Sequence, residues 1–176
     1  LLVHLRETPL LASLSEAALE NVRDATVFES YGNFDWYADF GKHRDRDPAE
    51  QLAAEPLIAA EGEPVNGLLL VRSGFARVTR RHGHGQQTRA YIGKGQVFGV
   101  EELAEAAQSG QAAVWQHSLR AIGYVDVLPF PPEVVFDTIL PNCKLQIANC
   151  KLGIADGAQQ SAIRGSVESS DVNQYS

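Results

Sequence analysis

The sequence predicts a mainly β fold with flanking helices, in the form of a small β-roll or jelly roll, and three observations support this. Residues 56–99 contain eight of the fifteen glycines, which separate short apolar runs. Glycine allows the backbone conformations of tight corners, and such spacing is typical of small barrels and rolls. The Gly-His-Gly at 83–85 predicts a hairpin tip, and residues 118–131 continue the strand pattern.

Helical patterns flank this β-rich region. Ser15 is a favourable N-cap for a helix that runs to about residue 25. Asp47 and Pro48 together predict a second helix start, because proline suits the first helical position. Residues 132–140 predict a third helix, which we expect to stop at Pro141.

The organisation predicted is one domain followed by a tail. Residues 1–140 are long enough and apolar enough to enclose a single core, since 44% of the chain is hydrophobic. An insert at 33–55 mixes aromatic residues with a charge run, and we expect Trp36 and Phe40 to pack it onto the domain. Residues 141–176 are expected to form a C-terminal tail or linker, which begins with a short helix or a strand-like arm and is polar and Ser-rich from Gly157 onward.

Composition argues against several classes of protein. The net charge of −7 and the pI of about 5.2 disfavour general nucleic-acid binding. No apolar run reaches the length of a membrane span. Cys143 and Cys150 are read as ordinary thiols in a reducing, cytoplasmic compartment, with no metal bound. A chain that begins with Leu1 and lacks Met is expected to be a module of a longer protein.

The order of the glycines and apolar runs resembles the cyclic nucleotide-binding domain of bacterial regulators of the catabolite activator type. The resemblance covers roughly residues 8–32 and 56–140. Its landmarks are Glu61-Gly62, Gly67, Ser73-Gly74, Gly93-Lys94-Gly95 and Phe98-Gly99. It implies a non-enzymatic β-roll whose phosphate-binding cassette reads Phe-Gly-Glu, then a short helix, then Arg. In that cassette the Glu accepts from the ribose and the Arg pairs with the cyclic phosphate.

The candidate ligand pocket departs from this cassette at both polar anchors. Its residues are Phe98, Gly99, Val100, Glu101, Glu102, Leu103, Trp115, Gln116, His117 and Ser118. Val100 stands where the Glu belongs, and no Lys or Arg lies between Lys94 and Arg120. The missing Arg aligns near Trp115, which we expect to fill the cavity. Burying a phosphodiester costs desolvation free energy, and without a nearby cation no ion pair offsets that cost.

Three functions remain open from the sequence. The leading interpretation is a non-catalytic regulatory or interaction module that does not bind cyclic AMP in the family's usual way. The alternative is a sensor that takes a cyclic nucleotide or other small metabolite through Glu101, His117 and Ser118. A metal enzyme of the cupin type is the third, but His82 and His84 do not fit the usual ligand spacing with His117.

The expected partners follow from charge and length. Residues 64–100 contain six basic residues and no acidic one, which indicates either a surface for an acidic partner or a solvated strand face. Too little chain follows Leu140 for a dimer helix and a DNA-reading helix. We therefore expect contacts with other domains of a larger protein or with a protein partner. We also expect no DNA or membrane binding by this chain, and a monomer or weak dimer.

Overall fold

The computed structural model describes residues 1–33 and 47–142. The predicted packing of Trp36 and Phe40, the two thiols and residues 143–176 of the predicted tail lie outside these ranges. No helix in the described ranges is long and apolar enough to span a membrane.

Short helices begin the chain. Helix α1 covers Leu2–Glu7, a 3-10 turn covers Pro9–Leu11, and α2 covers Glu16–Asp24. The hydroxyl of Ser15 accepts a hydrogen bond from the Ala18 amide at 3.3 Å, so the predicted N-cap is confirmed. The sequence pattern does not predict α1.

The β-rich region forms one antiparallel sheet, so the mainly β fold with flanking helices is confirmed. The strands are β1 Glu29–Tyr31, β2 Leu57–Ala59, β3 Leu68–His82, β4 Gly85–Gly93, β5 Val97–Phe98 and β6 Ser118–Phe130. The order is β1-β6-β3-β4, with β2 paired to β6 and β5 paired to β3. Because β3 and β6 pair along most of their length, they form the centre of the roll.

Strand β3 is longer than the glycine pattern predicts. The pattern separates an apolar run before Gly74 from a second run after it, whereas the structure joins them in one strand of 15 residues. Gly74 keeps a φ of 81°, and the register with β6 shifts between Val71 and Ser73 and again between Ser73 and Phe75. A β-bulge stands where the glycine pattern predicts a turn, so the strand bends there and continues. The predicted hairpin tip is confirmed, since His82 pairs with Gly85.

The core consists of two clusters that share β3. Leu68 and Leu70 belong to a cluster that includes the buried leucines of the N-terminal helices. Leu69 and Val71 belong to a second cluster inside the roll, with Trp115 and Phe98. Successive strand residues point to opposite faces, so one strand contributes to both clusters.

Helix α3, Pro48–Ala54, is held at both ends. The Asp47 side chain accepts from a first-turn amide at 2.9 Å, which confirms the predicted N-cap. At the other end the Arg120 guanidinium donates to the carbonyls of Leu52 and Glu55, at 3.3 and 3.0 Å. The Glu55 carboxylate also pairs with Arg77 at 2.8 Å. Arg77 is therefore engaged in an ion pair rather than solvated on a free strand face.

The segment after β6 remains helical beyond the predicted stop. Helix α5 covers Pro132–Val134, a π-helical turn covers Val135–Ile139, and α6 covers Leu140–Asn142. The prediction that the helix ends at Pro141 is wrong. The wider π-turn changes the hydrogen-bond spacing before the proline, and the Asn142 side chain donates to the Thr138 carbonyl at 2.7 Å.

Candidate functional site

The candidate pocket is built around Gly99, where β5 turns into helix α4, Val100–Ser109. Gly99 caps the helix with a φ of 100°, a conformation that disfavours residues with a side chain. A Cβ placed on Gly99 would lie 2.8 Å from the Trp115 ring. Both the backbone conformation and the close aromatic contact therefore require glycine here.

Trp115 fills the space beside Gly99, as the sequence predicts. Its side chain is only 3% exposed and stacks on Phe98 with ring centroids 4.9 Å apart and an interplanar angle of 18°. The Trp115 amide donates to the Glu63 carbonyl at 2.9 Å, and its carbonyl accepts from Gly62 at 2.8 Å. The indole is therefore a fixed part of the core, not a gate at its surface.

The acidic residues of α4 have different environments. Glu101 is exposed in the first helical turn, whereas Glu102 is 8% exposed. The Gln116 amide donates to the Glu102 carboxylate at 3.4 Å, and the Gln116 side chain donates to Glu105 at 3.1 Å. Glu102 and Glu105 thus connect α4 by hydrogen bonds to the segment that carries Trp115.

Burial raises the pKa of Glu102 above its ordinary value, although two backbone hydrogen bonds oppose this. A raised pKa in the folded state means that ionised Glu102 costs folding stability at neutral pH. That cost disappears as the pH falls through the raised pKa toward the ordinary value. Glu102 is thus a poor candidate for binding a further anion.

Two further pocket candidates are core residues. Val100 and Leu103 are buried in the cluster formed with the N-terminal helices. Val100, which the sequence resemblance places where a Glu is expected, is 6% exposed and packs in this cluster.

His117 and Ser118 lie where β6 begins. Ser118 is buried, and its hydroxyl accepts from the Glu61 amide at 3.0 Å. His117 is half-buried. Desolvation is the largest influence that lowers its pKa, followed by the charges of Arg80 and Arg89. The structure therefore gives Ser118 a backbone partner and places His117 near two guanidinium groups.

The sequence pattern does not reveal that Arg80 and Arg89 lie close enough to His117 to influence it electrostatically. Thr79 pairs with Ser118, so the next residue of β3, Arg80, lies near His117. Alternation along β3 puts Arg80 on the same face as the buried Ala76 and Val78. Because Arg80 itself is exposed, the pattern Ala-x-Val-x-Arg was the sequence signal for a cation at the edge of this face.

No cluster of three or more potential metal ligands occurs in the described ranges. The antiparallel sheet and its flanking helices define a β-roll domain. A family model for the cyclic nucleotide-binding domain matches residues 49–141, which is more than half of the chain. This chain belongs to that family. A search of curated proteins finds no similar sequence.

Solved structures share the fold at low sequence identity. One is a putative cyclic nucleotide binding protein from Ruegeria pomeroyi, with 15% identity, a TM-score of 0.59 and coverage of 98% of this chain and 64% of that one. The sensor domain of the transcriptional regulator DNR from Pseudomonas aeruginosa has 14% identity, a TM-score of 0.60 and coverage of 97% and 95%.

A third similar structure is the regulatory subunit of a cAMP-independent protein kinase A from Trypanosoma cruzi, bound to guanosine. It has 15% identity and a TM-score of 0.64, and the match covers 94% of this chain and 50% of that one. The chain thus spans half of the kinase subunit and just under two thirds of the Ruegeria protein.

Proposed function

We propose that this chain is a non-catalytic regulatory module that acts through contacts with other protein domains and does not bind cyclic AMP in the family's usual way. The observation that carries the proposal is the buried indole of Trp115 beside Gly99. It stands near the sequence position of the family's phosphate-binding Arg.

Electrostatics supports the same conclusion. A cyclic phosphate at the start of α4 would lie close to Glu101 and Glu102, with no Lys or Arg between residues 94 and 120. Losing one charge-assisted hydrogen bond costs about 1.5–3 kcal/mol. Losing both family anchors therefore weakens binding by about two to four decades.

The test is a thermal shift measurement with cyclic AMP and cyclic GMP, supported by titration calorimetry. A ligand at about 100 times its Kd stabilises a fold by about 2.7 kcal/mol. We therefore expect no shift at about 1 mM, the concentration that would reveal a site of ~10 μM. A shift of several degrees that disappears in Glu101→Ala or His117→Ala would contradict the proposal.

One observation favours a second function, a sensor of a small anion. Burial is the main cause of the lowered pKa of His117, and the charges of Arg80 and Arg89 lower it further. These strands therefore carry positive charge that the cassette lacks. Titrating His117 by NMR with and without cyclic AMP distinguishes the two functions. An anion bound there would raise the pKa of His117, whereas the regulatory module leaves it unchanged.

A further inference from the structure

Strand β4 forms an edge of the sheet. Its only partner among the described strands is β3, because the order β1-β6-β3-β4 ends with β4. An edge strand presents unpaired backbone N–H and C=O groups, to which another extended chain can bind. In a module that acts through contacts with other protein domains, such an edge is a possible contact surface.

The hairpin geometry determines which backbone groups of β4 point away from β3. His82 pairs with Gly85 across a two-residue tip, and the residues that flank such a tip form a hydrogen-bonded pair. Hydrogen-bonded and non-hydrogen-bonded pairs alternate along an antiparallel ladder. Gln86 and Thr88 therefore occupy non-hydrogen-bonded positions, and their amides and carbonyls point outward.

Other open backbone groups of this hairpin have partners within the chain. The Arg81 amide, which the same alternation directs away from β4, donates to the Glu61 carboxylate at 2.7 Å. At the far end of β4, the Gly93 amide donates to the Gln96 side chain at 2.8 Å. Between these two ends, the outward amide of Thr88 has no hydrogen-bond partner within the described ranges. The middle of β4 is thus the open part of this edge.

The charges on the hairpin strands are all positive. Arg80, Arg81 and Arg89 are exposed, and they form no ion pair among the described residues. Residues 64–100 contain no acidic residue, and the Glu61 carboxylate lies on the side of β3 that faces away from β4. Like charges on neighbouring strands repel, so this edge disfavours a second copy of itself and favours an acidic strand.

The two faces of the edge differ in chemistry. On one face, Tyr91 is 57% exposed and pairs with Arg77, whose guanidinium lies 5.2 Å from the ring centre. Alternation along β3 places Arg80 on the opposite face. The charges of Arg80 and Arg89 both act on His117, which places Arg89 near Arg80. A strand beside β4 would therefore meet a basic face and an aromatic face at alternate positions.

We infer that the free edge of β4 binds an extended acidic segment of a partner protein by strand addition, in which backbone hydrogen bonds supply affinity and alternate side chains supply specificity. Acidic side chains at every second position would face Arg80 and Arg89. Apolar β-branched side chains between them would pack on Tyr91, and the backbone of the segment would pair with Thr88. This inference rests on the proposed function, since it names the surface and the partner chemistry of that module.

The test uses the ¹⁵N-labelled full chain and the peptide acetyl-Ser-Glu-Val-Glu-Thr-Glu-Val-Ser-amide, followed by NMR up to about 2 mM, a range suited to a short flexible ligand. We expect saturable shifts of the Thr88 and Tyr91 amides. We also expect slower solvent exchange of the Thr88 amide, because a new hydrogen bond protects it. Gly110, remote in sequence from β4, serves as the reference.

Two control peptides separate charge from backbone pairing. Replacing each Glu of the peptide with Gln should weaken binding by about fivefold or more, since several exposed ion pairs are lost. Replacing the central Thr with Pro keeps every charge but removes a backbone donor and restricts the chain. The proline peptide should leave the exchange of the Thr88 amide unchanged.

Variants of the chain test the same edge. Arg89→Gln should weaken binding of the acidic peptide by about two- to fivefold, whereas Arg23→Gln on α2 removes the same charge elsewhere and should have no effect. Thr88→Pro should abolish binding and keep the fold, because an outward amide is not needed for the ladder with β3.

Three results would overturn the inference: no protection of the Thr88 amide by the acidic peptide in the folded chain, equal binding of either control peptide, or protection of that amide at high chain concentration without peptide. The last result would identify a second copy as the occupant. The thermal shift with cyclic AMP tests the proposed function separately, so failure of the strand addition and failure of the proposed function are distinguishable.

Discussion

Replacing Trp115 with Ala tests whether the indole is a structural part of the core. The ring is 3% exposed and stacks on Phe98. Truncating a buried Trp or Phe to Ala typically costs 3–5 kcal/mol. The backbone around residue 115 is fixed by hydrogen bonds of 2.9 and 2.8 Å, which hinders collapse of the new cavity. We therefore expect a loss in the upper half of that range.

Urea denaturation followed by far-UV circular dichroism measures this loss, since the substitution removes a fluorescent Trp. Phe75→Ala is the matched control, because Phe75 is 65% exposed and its truncation should cost less than about 1 kcal/mol. If Trp115→Ala proves too unstable to study, Trp115→Phe should give a smaller loss of the same sign. A loss below about 1 kcal/mol for Trp115→Ala would refute the argument that the indole fills the cassette.

The other predictions concern the same site and the assembly. Gly99→Ala should destabilise by about 1–3 kcal/mol more than Gly110→Ala, because both positions have positive φ but only Gly99 also meets an aromatic ring; equal losses in urea denaturation would exclude the clash. Glu102→Gln should raise the free energy of unfolding at pH 7, with a difference that shrinks as the pH falls toward 4, whereas the exposed Glu101→Gln should change it little. A destabilised Glu102→Gln at neutral pH would show that the carboxylate is favourable as a charge. Light scattering at micromolar concentration should show a monomer or weak dimer, and a tight dimer would reveal an unrecognised interface.

Local chemistry explains what the sequence could predict. Ser15 and Asp47 cap helices through contacts within three residues, and the Gly83 turn depends on backbone conformation at the tip. These features require no knowledge of distant residues. Their positions are confirmed.

Long-range contacts explain what was missed. The burial of Glu102 depends on the Gln116 amide, which is fourteen residues away. The approach of Arg80 to His117 depends on the pairing of β3 with β6. Helix continuation through Pro141 depends on a π-turn that side-chain spacing does not reveal. Each of these three features depends on packing between elements of the fold, which a local sequence pattern does not show.

The division of β3 between two clusters has a mechanical consequence. Leu68 and Leu70 face the helices, while Leu69 and Val71 face the roll interior. A rotation of this strand about its own axis would disturb both compartments in the same motion. Because both clusters are built on this one backbone, a change in packing at the amino-terminal helices and a change in packing around Trp115 act on the same strand.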